Sequence, residues 1–457
     1  MIDNRTAAIE YARSQHERYV NDLIELVKIP SVSTDPNYVA DIRRAAEHVQ
    51  KKLKAIGMEN IRLIETPRHP VLYADHLHAG PDKPTVIIYG HYDVQPAEPL
   101  DLWHTPPYEP TLRDGKLYGR GASDMKGQVM ASLHAVEAVM KHGGLPVNIK
   151  WLIEGEEEIG SPNLLKVIRD NKDLLTADFA LNPDGGILGE DLPAIIYGLR
   201  GLAYFEVHVS GPDHDLHSGI YGGSVLNPAA ELARLIAGMH DANGHITLPG
   251  FYDKVQALDA EERAELGRLP TDEAYYMKHT GVPMLWGEKG YSPVEHTGAR
   301  PTLEVNGLLS GFTGEGAKTV LPAKAMAKIS TRLVPNQHPD DVEKSLIKYM
   351  EQNARSAVTW SVKQITSGNP ASITSRDSDG VKALSKAMQS VWGKRPLFRR
   401  EGGSVPVVYQ MKEELGIDSV LTGFGLPDDN LHAPNEKLTL GPWYKGIEAL
   451  IHFFHNL

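Results

Sequence analysis

The 457-residue chain contains no cysteine. Disulfide bonds and thiolate metal sites are therefore excluded, and any metal held by side chains falls to His, Asp and Glu. A surplus of basic residues is missing too. The formal net charge of −12 argues against non-specific binding to nucleic acid or to an acidic membrane surface. No apolar run approaches the length of a membrane span. Residues 1–5 lack a basic stretch followed by an apolar run, so no signal peptide is read there and a cytoplasmic location is expected. Neither Gly-x-Gly-x-x-Gly nor a Gly-Lys-Ser/Thr loop follows a strand-like segment, so the glycine runs do not indicate nucleotide binding. No internal repeat or low-complexity tract is visible.

What is present is the composition of a soluble globular protein, 41% hydrophobic and 23% charged, at a length that implies two domains. Residues 152–162 stand out, because Glu154, Glu156, Glu157 and Glu158 crowd four carboxylates into five residues. The apolar run 149–153 before them reads as a buried strand. Ser161 and Pro162 after them read as the N-cap and first position of a helix. A solvated acidic loop is the ordinary reading of such a run. A site at the carboxyl end of a parallel sheet is the alternative, and it requires something cationic among the acids, since crowded carboxylates otherwise take up protons.

Three other strand-end segments supply partners. The apolar run 85–89 leads into Gly90-His91-Tyr92-Asp93, where Asp93 is placed to orient the His91 ring. Asp124 sits at the start of a helix over 128–141, where an acid is also favoured as a cap. The run 177–181 ends at Asp184, which a plain Asp-Gly turn would explain as well. Upstream, one long amphipathic helix is expected over 6–27 and another over 39–56, with strands at 61–64 and 71–74. From residue 199 the texture changes. The segment 202–209 alternates with Ala203, Phe205, Val207 and Val209 on one face, and strands return at 302–305, 325–333 and 357–362 beside helices at 228–239 and 340–352. Residues 247–300 carry no assignable pattern. Helices over 378–391, 405–415 and 442–454, a strand at 419–421 and a loop over 423–436 restore the α/β texture. The fold class expected is α/β: a discontinuous catalytic domain (1–198 and 368–457) with a mostly parallel sheet flanked by helices, plus an inserted α+β lid or dimerisation domain (199–367).

The ordered motifs Gly90–Asp93, Gly121–Gly127, the Glu-Glu turn, and a late His432 followed by Asn435-Glu436 resemble those of the di-zinc exopeptidases, closest to the carnosinase and cytosolic non-specific dipeptidase branch. The resemblance spans the chain. It implies that His91 and Asp184 bind one metal, Glu158 and His432 a second, and that Asp124 bridges both, with a cis peptide after Asp124. It implies Glu157 as general base, Asp93 as the orienting group for His91, and a hydroxide between the metals as nucleophile. Two zinc ions would fit, with manganese or cobalt as alternatives. Three carboxylates, two dications and one hydroxide sum to neutrality.

The same resemblance makes His217, in Leu216-His217-Ser218-Gly219, a residue that reaches the site of the opposite subunit, and so implies a homodimer. It assigns Thr319, Arg332 and Ser404 to the substrate's terminal carboxylate. The implied activity is hydrolysis of dipeptides or short peptides with a free C-terminal carboxylate. N-acyl amino acid deacylase, desuccinylase or carboxypeptidase activity on the same site is the alternative. Asp rather than Glu at position 184 leans toward the dipeptidase branch.

Overall fold

The structure, a computed structural model, describes residues 3–366 and 368–457. Residues 1, 2 and 367 lie outside it, and with them the expected domain boundary at 367. The chain divides into two compact units. The first comprises Met1–Tyr197, Thr374–Phe398 and Pro406–Leu457, the second Gly198–Ile373 and Arg399–Val405. The expected return to the first part at residue 368 is therefore interrupted, because Arg399–Val405, with Ser404, belongs to the second unit.

The first unit is built on a mixed sheet. Its strands run in the order Glu59–Ile64, Val71–His76, Asn148–Glu154, Thr85–His91, Phe179–Asn182, Asp418–Leu421, Ala194–Leu199. The four central strands are parallel, and the pairs flanking them are antiparallel. The centre is buried on both faces, as near-continuous apolar strands require. The helix Lys126–Lys141, buried over most of its length, packs on the strand Thr85–His91 and against the C-terminal helix Leu440–Asn456. Gly90 permits this approach: a Cβ there would stand 2.7 Å from Val129 Cγ2.

Two local expectations are corrected. The single opening helix over 6–27 is two helices, Asn4–Ser14 and His16–Val27, broken at Gln15. The Ser14 hydroxyl donates to the Tyr11 carbonyl (2.7 Å), a local bond that competes with the helical ladder. Ser161 is not an N-cap. It has φ +51°, its hydroxyl donates to Glu154 Oε1 (2.9 Å), and the helix begins only at Leu164. A 3-10 turn, Glu157–Ile159, comes between strand and helix instead.

The second unit has a four-stranded antiparallel sheet, in the order Thr302–Ser310, Lys324–Leu333, Gly201–Ser210, Thr359–Gln364. Ala203, Phe205, Val207 and Val209 face a core shared with the helices Pro228–Ala237 and Pro339–Asn353. The unassigned segment 247–300 contains three short helices, Ala260–Leu266, Glu273–Thr280 and Pro293–Gly298. Among the described residues no helix is long and apolar enough to cross a membrane.

Candidate metal centre

The carboxyl ends of the parallel strands converge on one cluster in the first unit. His91 ends the strand Thr85–His91, Glu157 and Glu158 follow Asn148–Glu154, and Asp184 follows Phe179–Asn182. Asp124 comes from the turn before the helix Lys126–Lys141, and its peptide bond to Met125 is cis. His432 arrives on the loop after Asp418–Leu421, with φ +60°. Gly423 lets this loop pass Asp184, since a Cβ there would collide with the Gly185 carbonyl.

Two groups of ligand atoms result, sharing Asp124. In one, His91 Nε2 lies 3.3 Å from Asp124 Oδ1 and 3.7 Å from Asp184 Oδ1. In the other, His432 Nε2 lies 3.0 Å from Asp124 Oδ2 and 3.3 Å from Glu158 Oε2. Ligands about 2.0–2.2 Å from a tetrahedral cation stand about 3.4 Å apart, the spacing found here. His91 Nε2 is buried and has no hydrogen-bond partner, the state of a nitrogen that needs a cation in front of it. The donor set is imidazole and carboxylate, which suits zinc, manganese or cobalt. The residues present fit divalent metal.

The supporting groups fix the ligands. His91 Nδ1 faces the Asp93 carbonyl (3.1 Å) and the Asp93 carboxylate (3.4 Å). Donation there turns Nε2 toward Asp124 and Asp184, the position of a ligand atom. Asp93, fully buried, also accepts from the backbone N–H groups of Glu157 (3.3 Å) and Glu158 (3.1 Å). Its carboxylate thus holds the glutamate turn as well as the ring. Gln95 Nε2 donates to Glu158 Oε2 (2.8 Å).

The acidic run resolves into four separate environments. Glu154 is buried and takes hydrogen bonds from Tyr89 (2.8 Å) and Ser161. Burial and the nearby Asp93 push its pKa up to about 8, so it is a neutral acid at pH 7. Glu156 accepts from Thr66, His69 N and Asn163 and fastens the surrounding loops. Glu158 joins His432. Burial raises its pKa while His432 opposes the rise. The Glu157 side chain makes no hydrogen bond among the described residues, and burial, with Asp184, Glu158 and Asp93 adding to it against His91, pushes its pKa up to about 9. Asp124 is held well below the carboxylate range, His432 and His91 outweighing burial. Its neighbours raise His432 to about 10 and His91 well above the imidazole range, in both cases against burial. The cluster draws positive charge from whatever source is available, which is the electrostatic signature of a cation site.

The profile of the Peptidase family M20/M25/M40 matches residues 87–456. The chain belongs to this family. A human Beta-Ala-His dipeptidase is 34% identical, over 97% of this chain and 91% of its own length. A Cys-Gly metallodipeptidase of Candida albicans is 32% identical, over 96% and 94%. The M20 metallo-carboxypeptidase Sso-CP2 of Sulfolobus solfataricus superposes with a TM-score of 0.81 at 33% identity, covering 95% of this chain and 98% of its own. Metallopeptidases of the M20 family use metal ions, and the candidate cluster of this member stands at the carboxyl ends of its central strands.

The remaining candidates lie in the second unit. Arg332, on the strand Lys324–Leu333, donates to Ser404 Oγ (3.1 Å), and Ser404 donates to the Arg200 carbonyl (2.6 Å). Burial lowers the Arg332 pKa, and among the described residues it has no carboxylate partner. His217 pairs with Val320 in a two-residue ladder. It is exposed, and its Nδ1 accepts from Gly219 N (3.0 Å), leaving Nε2 as the protonated nitrogen. Thr319 is exposed beside it, its carbonyl accepting from Ser218 N (3.1 Å). Sequence reasoning assigned no role to Gln95, Glu154, Asp429 or Glu436. Glu154 carried a signal as the first of the crowded carboxylates, and Glu436 as part of the Asn435-Glu436 pair after His432; Gln95 and Asp429 carried none.

Proposed function

We propose that this chain is a two-metal dipeptidase acting on dipeptides or short peptides with a free C-terminal carboxylate. The observation that carries the reading is Asp124, whose two oxygens face the two histidines one each. His91 and Asp184 would hold one ion and Glu158 and His432 the other, with Asp124 serving both. Zinc is the first choice, with manganese or cobalt suiting the same donors. Ions bound there polarise the scissile carbonyl and acidify water. Glu157, which cations at the cluster would hold as the anion against the rise to about 9 that burial and its acidic neighbours cause, takes the water's proton and passes it to the leaving amine. Its freedom from hydrogen bonds keeps it available, and Asp93 sets its place through the turn amides.

Arg332, with its desolvated guanidinium and no carboxylate of its own, grips the substrate's terminal carboxylate together with Ser404 and Thr319. His217 donates from Nε2 to the developing oxyanion of the partner subunit's site, so the working form is a homodimer. The strand Thr302–Ser310 is an edge of its sheet and exposes Val305, Leu308 and Leu309, as an interface between copies would.

A dipeptide library tests the reading against free, C-amidated and N-acylated substrates, with metal content measured in parallel. Cleavage of free dipeptides at two metals per chain is expected. Preference for N-acyl amino acids would overturn it in favour of a deacylase. Release of single residues from longer peptides would favour a carboxypeptidase, the reading that the Sulfolobus neighbour supports.

A further inference from the structure

The His432 side chain is 54% exposed and rides on a left-handed residue in an exposed loop, yet its ring meets Asp124, 308 positions earlier in the chain. Neither feature places it. The loop is fastened at both ends by buried acids instead. On one side, Asp429 accepts from Ser123 Oγ (2.8 Å), from Leu426 N (2.8 Å) and from Lys437 Nζ (2.8 Å). On the other, Glu436 is fully buried, and each of its oxygens faces two donors. Oε1 accepts from Ser123 N (3.0 Å) and Asp124 N (3.1 Å), Oε2 from Gly121 N (2.9 Å) and Arg120 Nη1 (2.7 Å). The Glu436 carbonyl also accepts from Gly119 N (3.0 Å). Burial pushes the Glu436 pKa upward, while Arg120 and the backbone donors pull against it. With every oxygen direction taken by a donor, the anion is the form that fits.

We infer that Glu436 is the positioning residue that registers the His432 loop against the Asp124 turn, and that it does so before metal binds. This rests on the reading of the cluster as a two-metal centre. The backbone of the shared ligand and the segment carrying the exposed ligand are bound to one carboxylate, so the distance between the two ligands is set by Glu436. His91 and Asp184 stand on strand ends and owe nothing to it. Loss of Glu436 therefore falls mainly on the Glu158–His432 half, where both the exposed ligand's segment and the shared Asp124 depend on it, while the other half keeps two of its three ligands on strand ends.

Glu436→Gln puts an amide NH₂ against two N–H donors while keeping size and shape. Calorimetric titration of the apo full-length protein with Zn²⁺, and absorption spectra with Co²⁺, read the result. The wild type is expected to take two equivalents. Glu436→Gln is expected to keep one at near wild-type affinity and to weaken the other by about 10–100-fold, the usual effect of a group that orients a ligand. Arg120→Gln removes the ion pair but leaves the three amide bonds, and is expected to lower the melting temperature while retaining both equivalents. Two wild-type equivalents in Glu436→Gln, or equal losses in both variants, would overturn the inference. Should Glu436→Gln fail to fold, amide exchange in metal-free wild type decides. Slow exchange at Gly121, Ser123 and Asp124 supports registration before metal binds, and fast exchange refutes it. A wild type that binds fewer than two equivalents would sink the two-metal reading itself, and this inference with it.

Discussion

The two halves of the candidate metal centre share one aspartate and otherwise have little in common. His91 is 1% exposed, ends a central parallel strand, and is backed by Asp93. His432 is 54% exposed, sits on a loop, and reaches its place because acids on either side of it are bound elsewhere. One half inherits its geometry from the sheet, whose strand ends are held by the core. The other half is built by side chains binding a loop to a turn. Ligands on rigid elements are positioned more sharply than ligands on loops, so the halves should respond differently to damage.

The largest effect should come from a change that leaves both halves intact. Glu157→Gln is expected to lower kcat by about 10²–10⁴-fold, the usual share of a positioned acid–base group, with both metals retained on elemental analysis. Normal turnover would exclude Glu157 as the base. Arg332→Ala lies outside either half. It should reduce kcat/KM by about 10–100-fold for free dipeptides, since a charge-assisted bond contributes about 1.5–3 kcal/mol, and much less for amidated ones. Equal losses on both substrates would reject the carboxylate grip.

The halves themselves are compared by His91→Ala and His432→Ala. Each should cost one equivalent of metal, but only His91→Ala should destabilise the metal-free protein, by about 1–3 kcal/mol, because it empties a buried position and strips fully buried Asp93 of a partner. Equal melting temperatures for the two apo variants would mean that the strand-end half and the loop half are held alike.

The smallest effect belongs to an acid that the chain neutralises by itself. Glu137 is bound by Arg18 (2.9 Å), and although burial opposes it, His134 and Arg18 hold its pKa at about 2, below the ordinary 4.5. A depressed carboxylate stabilises the fold above its unfolded pKa and loses that contribution as pH falls through the folded value. The apo protein should therefore lose stability between about pH 4.5 and 2 in part through this pair, and Glu137→Gln should flatten that portion of the profile. An unchanged profile would remove Glu137 from the account. The partly exposed Arg18 keeps the effect small.

Much of the centre was legible before folding was considered. An apolar run followed by His91, or by Asp184, marks a buried strand and the acid or imidazole at its end, because a parallel strand buried on both faces leaves polar groups only where it emerges. The lack of cysteine confined the ligands to imidazole and carboxylate. The alternation from Ala203 to Val209 likewise carried the second unit's sheet. These signals are local: a few neighbouring residues contain them.

What the tertiary structure alone decided is the division of labour among groups that look alike in the sequence. Glu154, Glu156, Glu157 and Glu158 are four glutamates in one short run. Burial beside Asp93 makes Glu154 a neutral acid, Thr66 makes Glu156 a fastener, the Asp93 carboxylate sets the turn that carries Glu157 as an unbound base candidate, and His432 meets Glu158 as a candidate ligand. Ser161 reads as a helix cap until Glu154 is seen to take its hydroxyl. Residue type sets what a side chain is able to do, but burial and partners set its charge and direction, and both depend on contacts between segments that lie apart in the chain, as Asp93 and His432 do from the glutamate run.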